Sequence, residues 1–204
     1  MQNILVLNSS ITPDSVSKPI VQAVVDRIGR NAHIVSRDLA TAPIPHLIAA
    51  SLAGIRGEPK TALEVSTREA SDDLIAELAA ADVIVIGAPM YNFGLSTALR
   101  SWFDHVIRAG KTFTYGEGGV VGLMTGKRAI VVSSRGGLYA DGNGPWADYQ
   151  EPYLLQLLAF MGITDVQIIR AEGVAYGEEP RAAAIEKALA EVAALAVSEL
   201  APAA

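Results

Sequence analysis

Short apolar runs alternate with segments of helical periodicity along most of this chain. Runs of consecutive apolar residues are typical of buried parallel strands, and they predict strands at about 4–7, 33–35, 83–89, 129–132 and 166–170. Apolar residues spaced three and four apart predict helices at about 20–28, 67–81, 96–107, 152–161 and 180–200. This alternation predicts a parallel sheet that is covered by helices on both faces.

Three stretches interrupt the alternation. Residues 40–65 are rich in proline and glycine, so we expect an irregular insertion or lid with a short helical piece around 47–52. A Gly-rich loop is predicted around 116–126, and a polar loop over 138–150. Neither an internal repeat nor a linker divides the sequence, which predicts a single domain over residues 1–204.

Composition excludes several classes of protein. Half of the residues are apolar and 19% are charged, which is typical of a folded globular chain. The net charge of −6 argues against nucleic acid as a partner, and the absence of cysteine excludes disulfide and thiolate chemistry. No apolar run is long enough to span a bilayer, so we expect a cytoplasmic protein without a membrane partner. His33, His46 and His105 lack metal-ligand spacing, which predicts no metal site.

Polar residues follow the first predicted strand, and we expect them at the carboxyl edge of the sheet, where ligands of open α/β sheets bind. This loop leads into a helix and carries five hydroxyl side chains: Ser9, Ser10, Thr12, Ser15 and Ser17. Backbone N–H groups at a helix N-terminus favour an anion, so the cluster predicts phosphate binding, with Lys18 as the nearby cation. The alternative is that these residues are ordinary caps and turns. The loop lacks G-x-G-x-x-G, which argues against a dinucleotide.

Two more strands end in unusual loops. Met90, Tyr91, Asn92 and Phe93 follow the third strand and predict a wall for a flat ring, unless these side chains only cap the core. Residues 134–137 (SRGG) follow the fourth strand. Their glycines allow a ligand to approach the backbone, and N–H groups beside an Arg would stabilise a carbonyl or an electron-rich ring edge, although a tight turn is the alternative.

At these loops the sequence resembles the FMN-dependent NADH-azoreductase family, which includes quinone reductases. Residues 88–93 (APMYNF) look like its flavin-ring motif, residues 108–115 (RAGKTFTY) are similar to its R-A-G-x-T-F-x-Y segment, and residues 133–137 resemble its S-R-G-G loop. The resemblance covers nearly the whole chain. It implies a flavodoxin-like three-layer α/β sandwich, with a five-stranded parallel sheet in the order 2-1-3-4-5.

The resemblance also implies an activity. FMN would be the bound cofactor, and NADH, with NADPH as an alternative donor, would reduce quinones and azo compounds by a ping-pong mechanism. Azo compounds would be cleaved to aromatic amines. The active sites would lie at the interface of a homodimer.

Site residues follow from the same resemblance. The FMN phosphate would be bound by Ser10, Ser15, Ser17 and the backbone of Val16, which stands where the family usually has a Gln or similar polar residue. The flavin ring would contact Met90, Tyr91, Asn92, Phe93, Ser134, Arg135, Gly136 and Gly137. The substrate space would be lined by Tyr115 and Phe160, from the partner subunit, and by Asn92 and Tyr139.

Two other functions stay open at this point. One is a flavodoxin-type electron carrier that has no substrate pocket. The other is a hydrolase that uses Ser9 or Ser134 with His105, although G-x-S-x-G is absent. A separate hypothesis assigns Arg56, in the irregular region, to the phosphates of a nicotinamide nucleotide or to covering the site.

Overall fold

The computed structural model describes residues 1–140 and 144–196. Its strands are β1 (Asn3–Asn8), β2 (His33–Asp38), β3 (Val83–Pro89), β4 (Phe113–Gly116), β5 (Gly119–Gly122), β6 (Arg128–Ser134) and β7 (Asp165–Ala171). Its helices are α1 (Ser17–Ile28), α2 (Leu52–Arg56), α3 (Ala62–Ala80), α4 (Thr97–Val106), α5 (Glu151–Phe160) and α6 (Glu178–Ala193).

Five strands form the main sheet, in the order β2-β1-β3-β6-β7, and every neighbouring pair is parallel. The prediction of a five-stranded parallel sheet is confirmed. The numbering departs from the predicted 2-1-3-4-5 because a separate hairpin, β4–β5, precedes the fourth strand of the sheet. In such a sheet the carboxyl ends of β1, β3 and β6 lie side by side.

Helices pack on both faces of this sheet, as two separate hydrophobic clusters show. Along β1 the side chains alternate: Leu5 and Leu7 belong to the cluster with α3, α4 and α5, whereas Ile4 and Val6 belong to the cluster with α1 and α6. All seven residues of β3 are buried, as the uninterrupted apolar run predicts for a central strand. None of the helices in the described ranges is long and apolar enough to cross a membrane.

The prediction of a Gly-rich loop at 116–126 is wrong. Residues 113–122 form the antiparallel hairpin β4–β5, whose register pairs Phe113 with Gly122 and Tyr115 with Val120. Gly119 takes φ +111° in the tight connection, a conformation that favours glycine. A Cβ on Gly122 would lie 2.1 Å from the backbone nitrogen of Gly162, so this glycine lets the hairpin pack against the turn after α5.

The irregular region also differs in detail from the prediction. The short helix occupies Leu52–Arg56 rather than residues 47–52, and α3 begins at Ala62 rather than Thr67. A capping box explains this early start: Thr61 accepts the Glu64 N–H and the Glu64 side chain accepts the Thr61 N–H. Helix α6 ends at Ala193, and the rest of the helix predicted to residue 200 lies largely outside the described residues.

Candidate active site

The loop between β1 and α1 presents backbone donors without acceptors. Among the residues that the structure describes, no acceptor is found for the N–H groups of Ser10, Thr12, Ser15, Val16 and Ser17. Val16 and Ser17 are buried, and buried N–H groups are almost always paired in folded proteins. The first turn of α1 carries no acidic residue. The loop therefore has the donors that an anionic group requires at a helix N-terminus.

The hydroxyl groups of this loop divide into two sets. Ser15 Oγ accepts the Lys18 N–H of the first turn of α1 at 3.1 Å, while Ser9 Oγ donates to the Gly87 carbonyl at 2.7 Å, inside the fold. Ser10 Oγ lies 3.1 Å from Thr12 Oγ1, and both residues line a cleft. Lys18, the expected cation, instead pairs with Asp38 Oδ2 at 2.7 Å.

The three predicted loops meet around that cleft, which has a volume of about 310 Å³. Its lining residues are Ser10, Thr12, Asp14, Val16, Pro89, Met90, Tyr91, Ser134, Gly136, Val174 and Arg181. Tyr91 Oη accepts the Ile11 N–H at 3.0 Å, and the Met90 N–H donates to the Ser134 carbonyl at 2.8 Å. These hydrogen bonds join the second loop to the first and to the third.

The second loop contains a tight turn. Tyr91 and Gly94 exchange two backbone hydrogen bonds of 3.0 Å, and both intervening residues, Asn92 and Phe93, have positive φ angles of 47° and 71°. Positive φ is a strained conformation for Phe, and strain of this kind concentrates at functional sites. The Tyr149 N–H donates to the Phe93 carbonyl at 3.1 Å and holds the turn from the other side.

The third loop offers two further free donors. Within residues 1–140 and 144–196 the N–H groups of Gly136 and Gly137 have no acceptor. The ring of Tyr139 covers Gly137, where a Cβ would lie 3.1 Å from Tyr139 Cε2. Tyr139 also meets Phe93 edge to face, with 6.4 Å between the ring centroids. Tyr139 thus connects the second and third loops, and its predicted place near the substrate stays a prediction.

Arg135 departs from its predicted role. Its side chain is fully buried and does not line the cleft, and its N–H donates to the Ala171 carbonyl. The guanidinium instead contacts three carboxylates: Asp148 at 3.0 Å, Glu172 at 3.2 Å and Glu151. A buried guanidinium needs such counter-charges. The ion pairs of Arg135 therefore stabilise the third loop on the side that faces away from the cleft.

The carboxylates of this buried cluster have further partners. Glu172 Oε1 also accepts the N–H groups of Tyr139 and Ala140, at 2.8 and 3.0 Å. Glu151 accepts hydrogen bonds from Arg170, which raise the pKa of that guanidinium. The cluster thus ties the third loop to the start of α5 and to the segment after β7.

Tyr115 and Phe160 line a different cavity, of about 610 Å³, beside the hairpin. Phe113 packs between them, with centroid distances of 4.6 Å to Phe160 and 5.6 Å to Tyr115. Arg56 and Lys111 also line this cavity, and within the described part of the chain neither pairs with a carboxylate. The cavity therefore combines aromatic rings with positive charge.

The cleft and this cavity share no lining residue. Within one chain, the structure does not join the predicted substrate residues Tyr115 and Phe160 to the predicted cofactor residues. Arg56, for which the sequence suggested contact with the phosphates of a nicotinamide nucleotide or covering of the site, lines the same cavity as Tyr115 and Phe160.

The geometry gives no support to a serine hydrolase. Ser9 donates its hydroxyl into the fold, and His105 Nδ1 lies 2.9 Å from the Ser101 carbonyl on its own helix. Burial lowers the pKa of His105, which favours its neutral form. No group of three or more metal-binding side chains occurs among residues 1–140 and 144–196.

Arg181 is one of three cleft residues, with Asp14 and Val174, that the sequence did not predict as site residues. It lies near the start of α6, in an Ala-rich segment with no recognisable motif, yet it contacts Asp14 in the first loop. Its Nη2 atom is 2.8 Å from Asp14 Oδ2. A contact across 167 residues of sequence leaves no local pattern that could reveal it.

Comparisons with known proteins identify the class. The family described by its flavodoxin-like fold matches residues 2–196. The FMN-dependent NADH:quinone oxidoreductase of Hyphomonas neptunium is 52% identical over 96% of each chain, and that of Ralstonia nicotianae is 46% identical over 91% of this chain and 92% of its own.

Solved structures agree with this class. An azoreductase from Bacillus anthracis has a TM-score of 0.88 at 25% identity, and covers 97% of this chain and 100% of its own. An FMN-dependent NADH-azoreductase from the same species, in complex with FMN, has a TM-score of 0.83 at 26% identity, over 96% of this chain and 100% of its own. The chain belongs to the family of FMN-dependent NADH:quinone oxidoreductases and azoreductases, as its loop motifs indicate.

Proposed function

We propose that this chain is an FMN-dependent enzyme that transfers electrons from NADH to quinones and to azo compounds. One observation carries the proposal: in the loops after β1 and β6, backbone N–H groups that have no acceptor among the described residues adjoin a cleft, and the loop after β3, which also lines this cleft, contains a strained turn. Relatives that are 41–52% identical over nearly the whole chain carry the name FMN-dependent NADH:quinone oxidoreductase.

The residues of the cleft fit FMN. The phosphate would be held by the loop over residues 10–17, through the N–H groups of Val16 and Ser17 and the Ser10 hydroxyl. The ring would lie between the turn at Asn92 and the N–H groups of Gly136 and Gly137. Bound FMN supplies two-electron chemistry, and the chain supplies binding, orientation and electrostatics.

Both proposed reactions balance in atoms and in electrons. NADH, a proton and a quinone give NAD⁺ and the hydroquinone. An azo compound takes electrons from two molecules of NADH, with two protons, and its N=N bond is cleaved to two amines. In both reactions the protein needs no nucleophile, which agrees with the buried positions of Ser9 and His105.

A ping-pong sequence follows if NADH and the acceptor use the same ring face in turn. The first product then leaves before the acceptor enters, so NADH and the acceptor are never bound to one site at the same time. Initial rates measured at several fixed NADH concentrations should give parallel double-reciprocal lines. Intersecting lines would contradict a ping-pong mechanism and would favour simultaneous binding.

We further propose that a homodimer completes the site. The cleft holds the predicted cofactor residues, whereas Tyr115 and Phe160 line a cavity that shares no residue with it. Tyr115 is 73% exposed within one chain, which is unusual for a residue that shapes a binding site. A two-fold dimer that brings the hairpin of one subunit over the cleft of the other would bury Tyr115.

An absorption spectrum tests the proposed function directly. The purified chain should bind FMN with a shifted flavin spectrum, and NADH should bleach the flavin bands under anaerobic conditions. Added quinone should then restore them, and catalytic NADH oxidation should need no second protein. Flavin binding without bleaching by NADH or NADPH would favour an electron carrier, and absence of flavin binding would contradict the proposal.

A further inference from the structure

Arg181 connects the C-terminal helix to the proposed phosphate loop. Its Nη2 atom contacts both the carboxylate of Asp14, at 2.8 Å, and the backbone carbonyl of Asp14, at 3.2 Å. The same residue lines the cleft together with Ser10, Val16 and Gly136. It therefore lies where the first loop, the third loop and α6 meet.

The charged residues that line the cleft indicate how Arg181 would affect the binding of an anion. Among its lining residues, Asp14 and Arg181 are the two that carry formal charge. Asp14 would repel a phosphate, and Lys18, the other nearby cation, is engaged by Asp38 on β2. Arg181 therefore neutralises the acidic residue of the loop and is the one cation within the cleft lining.

The guanidinium of Arg181 keeps donors free. Only Nη2 has a partner among the residues that the structure describes, so the Nε and Nη1 donors are not engaged by protein atoms there. An Arg side chain has five N–H donors in a rigid fork that suits phosphate. Its side chain is 28% exposed, so it is partly shielded from solvent yet accessible from the cleft.

We infer that Arg181 is a specificity-determining residue that recognises the flavin phosphate, so that it makes this chain select FMN over riboflavin. The inference rests on the proposed function, because it assumes that the cleft binds a flavin. The backbone N–H groups of the loop bind the phosphate, and Arg181 adds the positive charge that the loop itself lacks. Binding of the isoalloxazine ring, which both flavins share, does not depend on Arg181.

Flavin titrations test this inference without relying on turnover. The full-length chain, freed of flavin, is titrated with FMN and separately with riboflavin, and binding is followed by quenching of flavin fluorescence. Arg181→Gln should weaken FMN binding about tenfold and leave riboflavin binding within about twofold, because a charge-assisted hydrogen bond to phosphate is lost. Arg181→Lys should recover part of the loss, and the affinity of Arg181→Gln for FMN should depend less on salt.

Arg27 provides a matched control. It lies on α1 and donates from Nη2 to the Leu195 carbonyl at 3.0 Å, so it also joins α1 to the C-terminal segment, and it does not line the cleft. Arg27→Gln should leave the ratio of FMN to riboflavin affinity unchanged.

The outcomes distinguish a failure of the inference from a failure of the proposed function. An equal loss of FMN and riboflavin binding in Arg181→Gln would show a purely structural contact and would overturn the inference, as would unchanged FMN binding. If the unsubstituted chain binds neither flavin, the proposed function itself fails, and the inference fails with it.

Discussion

The cleft and the hairpin cavity differ in what they are made of. The cleft lies at three strand ends, and the loops after β1 and β6 contribute backbone N–H groups that have no acceptor among the described residues. The cavity is built from aromatic rings and from the long side chains of Arg56, Arg68, Arg108 and Lys111. If the cleft binds the cofactor and the cavity the substrate, as proposed, substitutions of cavity side chains can change substrate choice without changing the backbone donors of the cleft.

The two regions also differ in how firmly they are held. Behind the cleft, Arg135 is buried among Asp148, Glu151 and Glu172. Around the cavity, Arg108 pairs with Asp72 and donates to Ser71 Oγ at 2.8 Å, but Arg56 and Lys111 are exposed. Substitutions in the two regions should therefore have separable effects on stability, flavin affinity and Michaelis constants.

The largest effect is expected behind the cleft. Arg135→Met leaves three carboxylates without their shared counter-charge, so it should reduce the free energy of unfolding by about 3–5 kcal/mol. The melting temperature should fall by on the order of 10 °C, measured by circular dichroism. Arg100→Met is the control, since Arg100 pairs with Asp104 at the surface, and it should cost about 0.5 kcal/mol or less. Equal melting temperatures for the two variants would refute the stabilising role of Arg135.

The next effect concerns the cleft itself. Gly136 lines the cleft, and a Cβ there would already lie 3.3 Å from the Ala175 Cβ, so the larger side chain of Gly136→Val should displace the loop that the ring is proposed to contact. We expect FMN affinity to fall by about 5- to 150-fold, which corresponds to an overpacking cost of about 1–3 kcal/mol. Gly118→Ala in the hairpin, where a Cβ would meet nothing within 4 Å, should leave FMN affinity unchanged. Normal FMN affinity in Gly136→Val would remove the third loop from the site.

A smaller effect of a different kind is expected in the cavity. Tyr115→Ala should raise the Michaelis constant for a quinone by about 2- to 12-fold, as the loss of one aromatic contact predicts, without changing FMN affinity. Tyr115→Phe keeps the ring and should behave as the unsubstituted enzyme. Steady-state kinetics and a flavin titration together make the test, and a parallel loss of FMN affinity would show that the two regions are not separate.

The smallest effect is expected at Arg56, which is exposed at the edge of the cavity. If Arg56 contacts the phosphates of NADH, Arg56→Ala should raise the Michaelis constant for NADH about 2- to 5-fold, and added salt should reduce the difference. Lys60→Ala is a nearby control, because Lys60 does not line the cavity. An unchanged Michaelis constant for NADH in Arg56→Ala would reject this role.

Much of the fold and the cleft could be predicted from local sequence pattern. Buried parallel strands appear as apolar runs, and β3 matches its predicted bounds of 83–89. The position of the cleft could be predicted from the loops at the strand ends, because the topology of the sheet fixes where these loops lie. The hairpin was mistaken for a loop because its glycines obscure the alternation of Phe113 and Tyr115 along β4.

Long-range contacts account for what the sequence did not predict. Arg135 lies within a loop that the sequence predicts to bind a ligand, and nothing local shows that its charge is neutralised by Asp148, Glu151 and Glu172. Arg181 lies in a helix whose pattern suggests only packing. The early start of α3, in contrast, carried a readable signal in the Thr61–Glu64 capping box.

A hybrid dimer tests most directly whether the cleft and the cavity belong to one site made by two subunits. Gly136→Val is co-expressed with a cavity variant that combines Arg56→Ala, Tyr115→Ala and Phe160→Ala, and dimers that contain one chain of each are purified with two different tags. One of the two sites in such a hybrid combines an intact cleft with an intact partner cavity. If one site is made by two subunits, the hybrid should reduce quinone at about half the rate of the unsubstituted dimer, whereas both parent dimers should be impaired. A hybrid no more active than its parents, or a chain that stays monomeric while fully active, would contradict it.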